Sequence, residues 1–263
     1  MKTKELQGSY ICYDSYSLKN NKDLKEFLNS DKLKEIITNL KQQVIIVLGW
    51  DWTMLRAIKE NYDKDIPFLW INFWHKWFLL NSKESIFPEF NYVERRYPLI
   101  EVSVWINWET KKEIAVNEVD IRAGSWRAIG LDINLSKRQN INISGDWIII
   151  STPAWSTWYN RSLGWPIIPH TINAFSITPK APLSPRWQWS ILIEDLETIR
   201  IQNTWRLNPV NIYCDWREFL HVWEENHLDI FVKKSNIKIR LIISWDYLDT
   251  WDNKVLQEQG FQV

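Results

Sequence analysis

Residues 44–62 read VIIVLGWDWTMLRAIKENY, and the fold is decided by how this stretch is divided. Val44 to Leu48 is an unbroken apolar run rich in β-branched residues, the pattern of a strand buried on both faces of a parallel sheet. The run stops at Gly49-Trp50-Asp51-Trp52-Thr53, after which the spacing turns helical, with Thr53 expected to cap the helix. A second short buried strand is expected at residues 67–71. Upstream, Leu24, Phe27, Leu28, Leu33, Ile36, Ile37 and Leu40 recur at helical spacing and predict one amphipathic helix over residues 22–41. Strand, turn, helix and strand in that order predict an open, mostly parallel α/β sheet domain over residues 1–98.

After Tyr97-Pro98 the texture changes. Short apolar or alternating runs at 100–106, 128–135, 140–143, 148–151, 191–193, 210–213 and 237–243 are separated by polar turns, with one helix start near 157–163. This pattern predicts an all-β, sandwich-like domain over residues 99–240. Residues 241–263, with a helix at 247–257, are expected to close back on the first domain.

The 263 residues carry 32 Lys plus Arg against 32 Asp plus Glu, so no global charge steers the chain towards nucleic acid or a lipid surface. Cys12 and Cys214 are far apart and fit a reduced cytoplasmic protein better than a disulfide scaffold. The start MKTKELQGSY has no apolar signal core, and no run approaches the length of a membrane span. His75, His170, His221 and His227 show no metal-ligand spacing, and no Cys joins them.

One ratio is out of line: 19 Trp stand against 7 Gly, whereas glycine alone ordinarily makes up about 7% of a protein. The tryptophans also sit where turn chemistry wants glycine, beside Asp51, Asp146 and Asp215 and in WINFWHKW at 70–77. A tryptophan-rich binding surface would instead place its indoles among aromatic or exposed polar neighbours. Reading UGA codons as tryptophan in a gene that uses them for glycine produces this pattern. Gly8, Gly49, Gly124, Gly130, Gly145, Gly164 and Gly260 are then the glycines written with ordinary codons.

Three constellations carry chemistry. Gly49-Trp50-Asp51-Trp52-Thr53 lies at the carboxyl end of a buried strand, where open α/β sheets bind ligands. With glycine at 50 and 52 it becomes GGDGT, a loop that lets backbone amides and a helix N-terminus approach phosphate. Asp51 repels phosphate there, so it suits proton abstraction from an attacking hydroxyl or the holding of a metal ion. The second is Ser144-Gly145-Asp146-Trp147, a strand at 148–150, and then STPAWSTWYNRSLGWP at 151–166, a loop dense in hydroxyls around a polar pocket. The third is Asn117-Glu118, an amide and a carboxylate able to grip a ribose or a purine edge together.

Together these segments resemble the NAD kinase family over residues 44–219. The likeness includes PFLWINFWHKWFLL at 67–80 (family-like as PFLGINFGHKGFLL), YPLIEVSV at 97–104, NEVDI at 117–121, the block from Asp146 to Ser162, and Cys214-Asp215-Trp216. Diacylglycerol and sphingosine kinases and phosphofructokinases share GGDGT-like loops, but the Asp146–Ser162 block is specific to NAD kinases. The resemblance implies phosphorylation of the adenosine 2′-hydroxyl of NAD by ATP or polyphosphate with a divalent metal such as Mg, in a homodimer or homotetramer. Asp51 stands at the position of the catalytic aspartate. Asn117 and Glu118 match the dinucleotide-binding pair, and Asp146 organises the pocket. Thr157, Trp158, Tyr159, Asn160 and Ser162 line it, with Tyr159 near adenine and Ala181 at a further wall position. Gly49, Trp50, Trp52 and Thr53 form the phosphate loop. The chain departs from the family at Ser144, usually basic, and at Arg217, often glutamine. Trp108, Trp223, Trp245 and Trp251 match no family glycine. The alternatives are a nucleotide-binding relative without activity, if the tryptophans in the loops are real, or a diacylglycerol-type lipid kinase sharing the Asp51 loop.

Overall fold

The computed structural model describes residues 1–73, 81–82, 86, 91–136, 140–153, 168–169, 172–186, 190–204, 208–223 and 228–245. The chain divides into two compact units, Met1–Tyr97 with Ile237–Val263, and Pro98–Asn236.

In the first unit, β1 (Lys2–Leu6) and β2 (Ser9–Tyr13) form a hairpin, followed by α1 (Ser15–Asn20), α2 (Lys22–Leu28) and α3 (Lys32–Leu40). Then come β3 (Ile45–Leu48), α4 (Asp51–Asn61), β4 (Phe68–Asn72) and the short β5 (Asn81–Ser82). Strand β3 lies between β2 and β4, parallel to both, and β4 runs parallel to the end of the last strand at Leu241 and Ile242. All four residues of β3 are buried, as an apolar run covered on both faces must be. Leu24, Phe27, Leu33, Ile36 and Leu40 pack with β3 and β4 into one core. The sequence predicts a single helix over 22–41, and the structure breaks it. Asn29 and Ser30 return their amides to the carbonyls of Glu26 and Phe27, and the Ser30 hydroxyl also donates to Phe27. These local bonds end α2, the usual competition of Asn and Ser with a helix ladder.

The second unit is built from strands. They are β6 (Tyr92–Ile106), β7 (Glu109–Ala115), β8 (Glu118–Ala123), β9 (Ile129–Leu135), β10 (Ile141–Ser151), β11 (Ala174–Ser184), β12 (Ile191–Glu194), β13 (Ile199–Asn203), β14 (Val210–Cys214), β15 (Arg217–Val222) and β16 (Asp229–Ser244). The outer parts of β6 and β16, 92–97 and 237–244, count with the first unit. Pro98 thus lies inside a strand rather than in a linker, and it precedes the ladder with β7, which begins at Ile100. There its missing N–H costs no bond to β7.

Strand β10 forms the corner of this unit. Residues 141–145 pair with β9, residues 147–151 pair with β8, and β11 runs along 144–151. A change of partner within one strand, with a register shift at Ser144/Gly145, is how a strand passes between the two sheets of a sandwich. Ile121, Ile133, Ile148, Ile150, Ile177 and Val210 meet in the core between them. A β-carbon on Gly145 would lie 3.0 Å from the Ala181 carbonyl oxygen and 3.1 Å from the Pro182 Cα, so any side chain there would push the facing β11 backbone away by a few tenths of an ångström.

Three hairpins share one turn geometry. Their two-residue loops are Gln7-Gly8, Asn107-Trp108 and Asp215-Trp216. Both residues of each have positive φ, and the second stands at +76° for Gly8, +67° for Trp108 and +64° for Trp216. This is a type I′ turn, whose preferred sequences are Asn-Gly and Asp-Gly. Trp108, which matches no family glycine by sequence, therefore occupies a position that its backbone reserves for glycine. A left-handed residue with a β-carbon costs about 1–2 kcal/mol. Trp108→Gly should accordingly raise the stability measured by urea unfolding by about 1 kcal/mol. Trp126→Gly, at an equally exposed tryptophan without positive φ, should give no gain; equal effects of the two would contradict this account.

Candidate active site

At the end of β3 the chain enters α4 with Asp51 as its first helical residue. Trp50 caps the helix with φ −78° and ψ 172°, so neither it nor the helical Trp52 is left-handed. The backbone at 50 and 52 thus suits a residue with a side chain, and what opposes a ligand there is indole volume. Trp50 and Trp52 stack with ring centroids 5.3 Å apart and planes 9° apart. Trp70 of β4 reaches the same loop, its Nε1 donating to the Gly49 carbonyl at 3.0 Å. Three indoles, all at positions where the family resemblance implies glycine, thus gather at the carboxyl edge of β3, with Trp52 59% exposed. Gly49 has φ +151°, and a β-carbon there would meet Thr53 Oγ1 at 2.8 Å. Thr53 is expected from sequence to cap α4; instead its hydroxyl donates to Asp14 Oδ2 at 3.1 Å, because Trp50 holds the cap position. Asp51 Oδ1 is buried and has no hydrogen-bond partner among the described residues. Burial raises the Asp51 carboxyl to about 7, near the working range of a general base at neutral pH.

Within the second unit, Asn117 and Glu118 sit at the turn from β7 into β8, and both are buried. Both oxygens of Glu118 are without hydrogen-bond partners among the described residues. Burial, then the neighbouring carboxyls of Asp215 and Asp120, push its pKa well up, against the pull of Arg122. A shift in that direction favours the neutral carboxyl, which can both donate to and accept from a hydroxyl. Ser151, at the end of β10, pairs with Glu118 across the ladder. Thr152 follows it, and its N–H donates to the Asn117 carbonyl at 2.9 Å while its hydroxyl donates to the Val116 carbonyl at 3.1 Å.

At the β10 corner Asp146 is exposed, and the strand register sets Ala181 of β11 opposite it. Ala181 has φ +47°. Trp147 follows Asp146, and its ring carries the Arg122 guanidinium at 4.2 Å and the Lys180 ammonium at 4.1 Å. A glycine at 147 would leave both cations facing the vacated space. Ser144, where the family usually has a basic residue, spends its hydroxyl on the Ser184 carbonyl at 3.3 Å. Arg217 pairs with Asp215 at 3.8 Å.

Thr157, Trp158, Tyr159, Asn160 and Ser162 lie outside the described residues, as do Trp155, Trp165, Trp251, His75, His170, His227 and the helices expected at 157–163 and 247–257. The described His221 shares a hydrogen bond with Asn211 and packs edge-on against Trp223 at 4.3 Å. Among the described residues no group of His, Cys, Asp and Glu could hold a metal ion by itself. Among them too, no helix is long and apolar enough to cross a membrane, and Cys12 and Cys214 are free. The sequence reading assigns no role to Thr152 or Asp215. The signals in the sequence are their places inside segments of the family resemblance, with Thr152 opening the hydroxyl-rich loop and Asp215-Trp216 in the form of an Asp-Gly turn.

Residues 102–243, more than half of the chain, match the ATP-NAD kinase C-terminal domain family. The NAD kinase of Rickettsia akari (strain Hartford) is 28% identical over 246 residues, covering 90% of this chain and 91% of the relative. That of Rickettsia prowazekii (strain Madrid E) is 28% identical over 251 residues, covering 91% and 95%. Among solved structures, yeast NADH kinase complexed with NADH superposes with a TM-score of 0.71 at 18% identity, over 84% of this chain and 67% of that one. An NAD kinase from Archaeoglobus fulgidus in complex with ATP gives 0.67 at 17% identity, over 93% and 97%. At those identities the likeness establishes the fold, an α/β unit joined to a β-sandwich.

The raised Asp51 carboxyl has a consequence for stability. Its folded pKa of about 7 lies above the ordinary 3.8. As pH rises between these values the unfolded chain ionises and the folded chain does not, so stability falls across this window and levels off above it. Asp51→Asn should therefore match the parent in melting temperature below the ordinary pKa and exceed it increasingly up to neutral pH. A difference that does not change with pH would show that Asp51 is not held protonated.

Proposed function

The chain belongs to the NAD kinase family, and from that premise we propose that it transfers a phosphoryl group from ATP, or from another donor such as polyphosphate, to the adenosine 2′-hydroxyl of NAD. The observation that carries the reading is Asp51, a half-buried carboxyl at the first turn of α4 whose Oδ1 has no hydrogen-bond partner among the described residues and whose pKa burial raises to about 7. Asp51 takes the proton as the 2′-oxygen attacks the terminal phosphorus; the bond to the bridging oxygen breaks, and ADP leaves with the electron pair. Gly49, Thr53 and glycine at 50 and 52 would admit the donor phosphates to the amides that a helix leaves unpaired in its first turn. Asn117 and Glu118 would take the ribose and base of the dinucleotide, Asp146 and Ala181 would bound the pocket, and Thr157, Trp158, Tyr159, Asn160 and Ser162 would complete its wall.

A divalent ion such as Mg would enter with the triphosphate, whose oxygens and bound waters supply most of its ligands, as is usual for that ion. Asp51 Oδ1, buried and without a hydrogen-bond partner among the described residues, fits a single protein contact to that substrate complex and not a resident metal cage. The family resemblance also favours a homodimer or homotetramer working in the cytoplasm.

The stacked indoles of Trp50 and Trp52 favour a blocked loop in the chain as written. The active form in this reading carries glycine at 50, 52, 70, 74, 77, 147, 155 and 165. That form, given NAD, ATP and Mg, should produce NADP, scored with an NADP-specific dehydrogenase. Asp51→Asn in the same background should lower kcat by roughly a hundredfold or more, the usual loss for a general base, while circular dichroism stays unchanged. No NADP from the glycine form would refute the activity, and full turnover by the Asn variant would refute the role of Asp51.

A further inference from the structure

The two-residue link Val116-Asn117 joins β7 to β8, yet these strands do not pair with each other: β7 pairs with β6, and β8 with β10 and β14. Its backbone groups therefore have no hairpin ladder to satisfy them, and buried peptide groups need partners from elsewhere. They find them on two distant elements. Asp215 Oδ1 accepts the Asn117 N–H at 2.7 Å and the Val116 N–H at 3.0 Å, and Oδ2 accepts the Val116 N–H at 2.9 Å. The Asp215 N–H itself donates to the Glu118 carbonyl at 3.1 Å. From the other side, Thr152 donates its N–H and hydroxyl to the carbonyls of Asn117 and Val116.

A carboxylate this deeply buried is expensive to place and persists only where it is well bonded. Here the bonds all end on the backbone that carries Asn117 and Glu118. We propose that Asp215 is a positioning residue of the dinucleotide site: its carboxylate fixes the peptide units of Val116 and Asn117, and so the aim of the Asn117 and Glu118 side chains at the ribose and base of NAD. The proposal rests on the function proposed above. Burial is the largest influence on Asp215 and raises its pKa to about 6, while the amides of residues 116–118 and Arg217 favour its charged form. The turn supplies the aim, since φ of +49° at Asp215 and +64° at residue 216 turns the carboxylate back beneath the link.

The test compares Asp215→Asn and Asp215→Ala with the NAD-phosphorylating parent. Asn tolerates the left-handed turn but can no longer offer two acceptor oxygens, so it separates aim from turn formation. Loss of hydrogen bonds to a charged acceptor predicts a rise in the KM and Kd for NAD of roughly ten- to a hundredfold. The KM for ATP should stay constant, kcat should change by less than a few fold, and amide exchange at Val116 and Asn117 should accelerate. A residue that only holds the fold would lower the active fraction, and with it apparent kcat, leaving the KM for NAD in place; that result overturns the proposal. A parent that neither binds nor phosphorylates NAD refutes the functional reading, whereas NAD binding that is equal in parent and variants refutes only the role of Asp215.

Discussion

At residues 215 and 216 the backbone turns left-handed twice in succession, and much of the second unit's chemistry follows from those two angles. The turn closes the β14–β15 hairpin, buries the Asp215 carboxylate, and sets it against the amides of a link nearly a hundred residues earlier in the chain. A β-carbon at the second position works against the turn, by about 1–2 kcal/mol. The hairpin at Gln7-Gly8 adopts the same geometry with glycine in that place, and the hairpin at Asn107-Trp108 repeats it with tryptophan. Space for a backbone without a side chain is thus the requirement shared by the hairpins, the corner at Gly145 and the loop at Gly49.

Burial does the electrostatic work in both units. Asp51, Glu118 and Asp215 are each pushed upward by desolvation first, but their surroundings separate their roles. Asp215 has its amides and Arg217 and serves as an anchor. Asp51 and Glu118 have oxygens without partners among the described residues, an arrangement that in native proteins calls for a ligand or a reaction to explain it.

The sequence made the first unit's parallel strands legible because β3 is apolar at every position, and it made the family legible because the Asp146–Ser162 block keeps its polar residues even where glycine is missing. It did not reveal that α2 and α3 are separate, since apolar periodicity continues through Asn29 and Ser30 while their side-chain and backbone bonds end the first helix. It placed Thr53 as a cap because the residue type suits one; only the fold brings Asp14 within reach of its hydroxyl. Asp215 and Thr152 stayed invisible as site residues because their partners lie 98 or 99 and 35 or 36 positions away. Trp108 showed no family signal, and its meaning appeared only in φ.

The same spatial requirement bears on the loop at the carboxyl edge of β3, where Trp50 and Trp52 stack on each other and Trp70 donates to the Gly49 carbonyl. An NAD kinase needs that edge open to a nucleotide. The most direct measurement is the identity of residues 50 and 52 in the protein made by its own cell, read from the mass of the peptide spanning residues 49–53 and from the codons behind it. Glycine at both positions, encoded by UGA, is the predicted result. Tryptophan encoded by UGG would contradict the account and leave a chain with the family's fold and an obstructed phosphate loop.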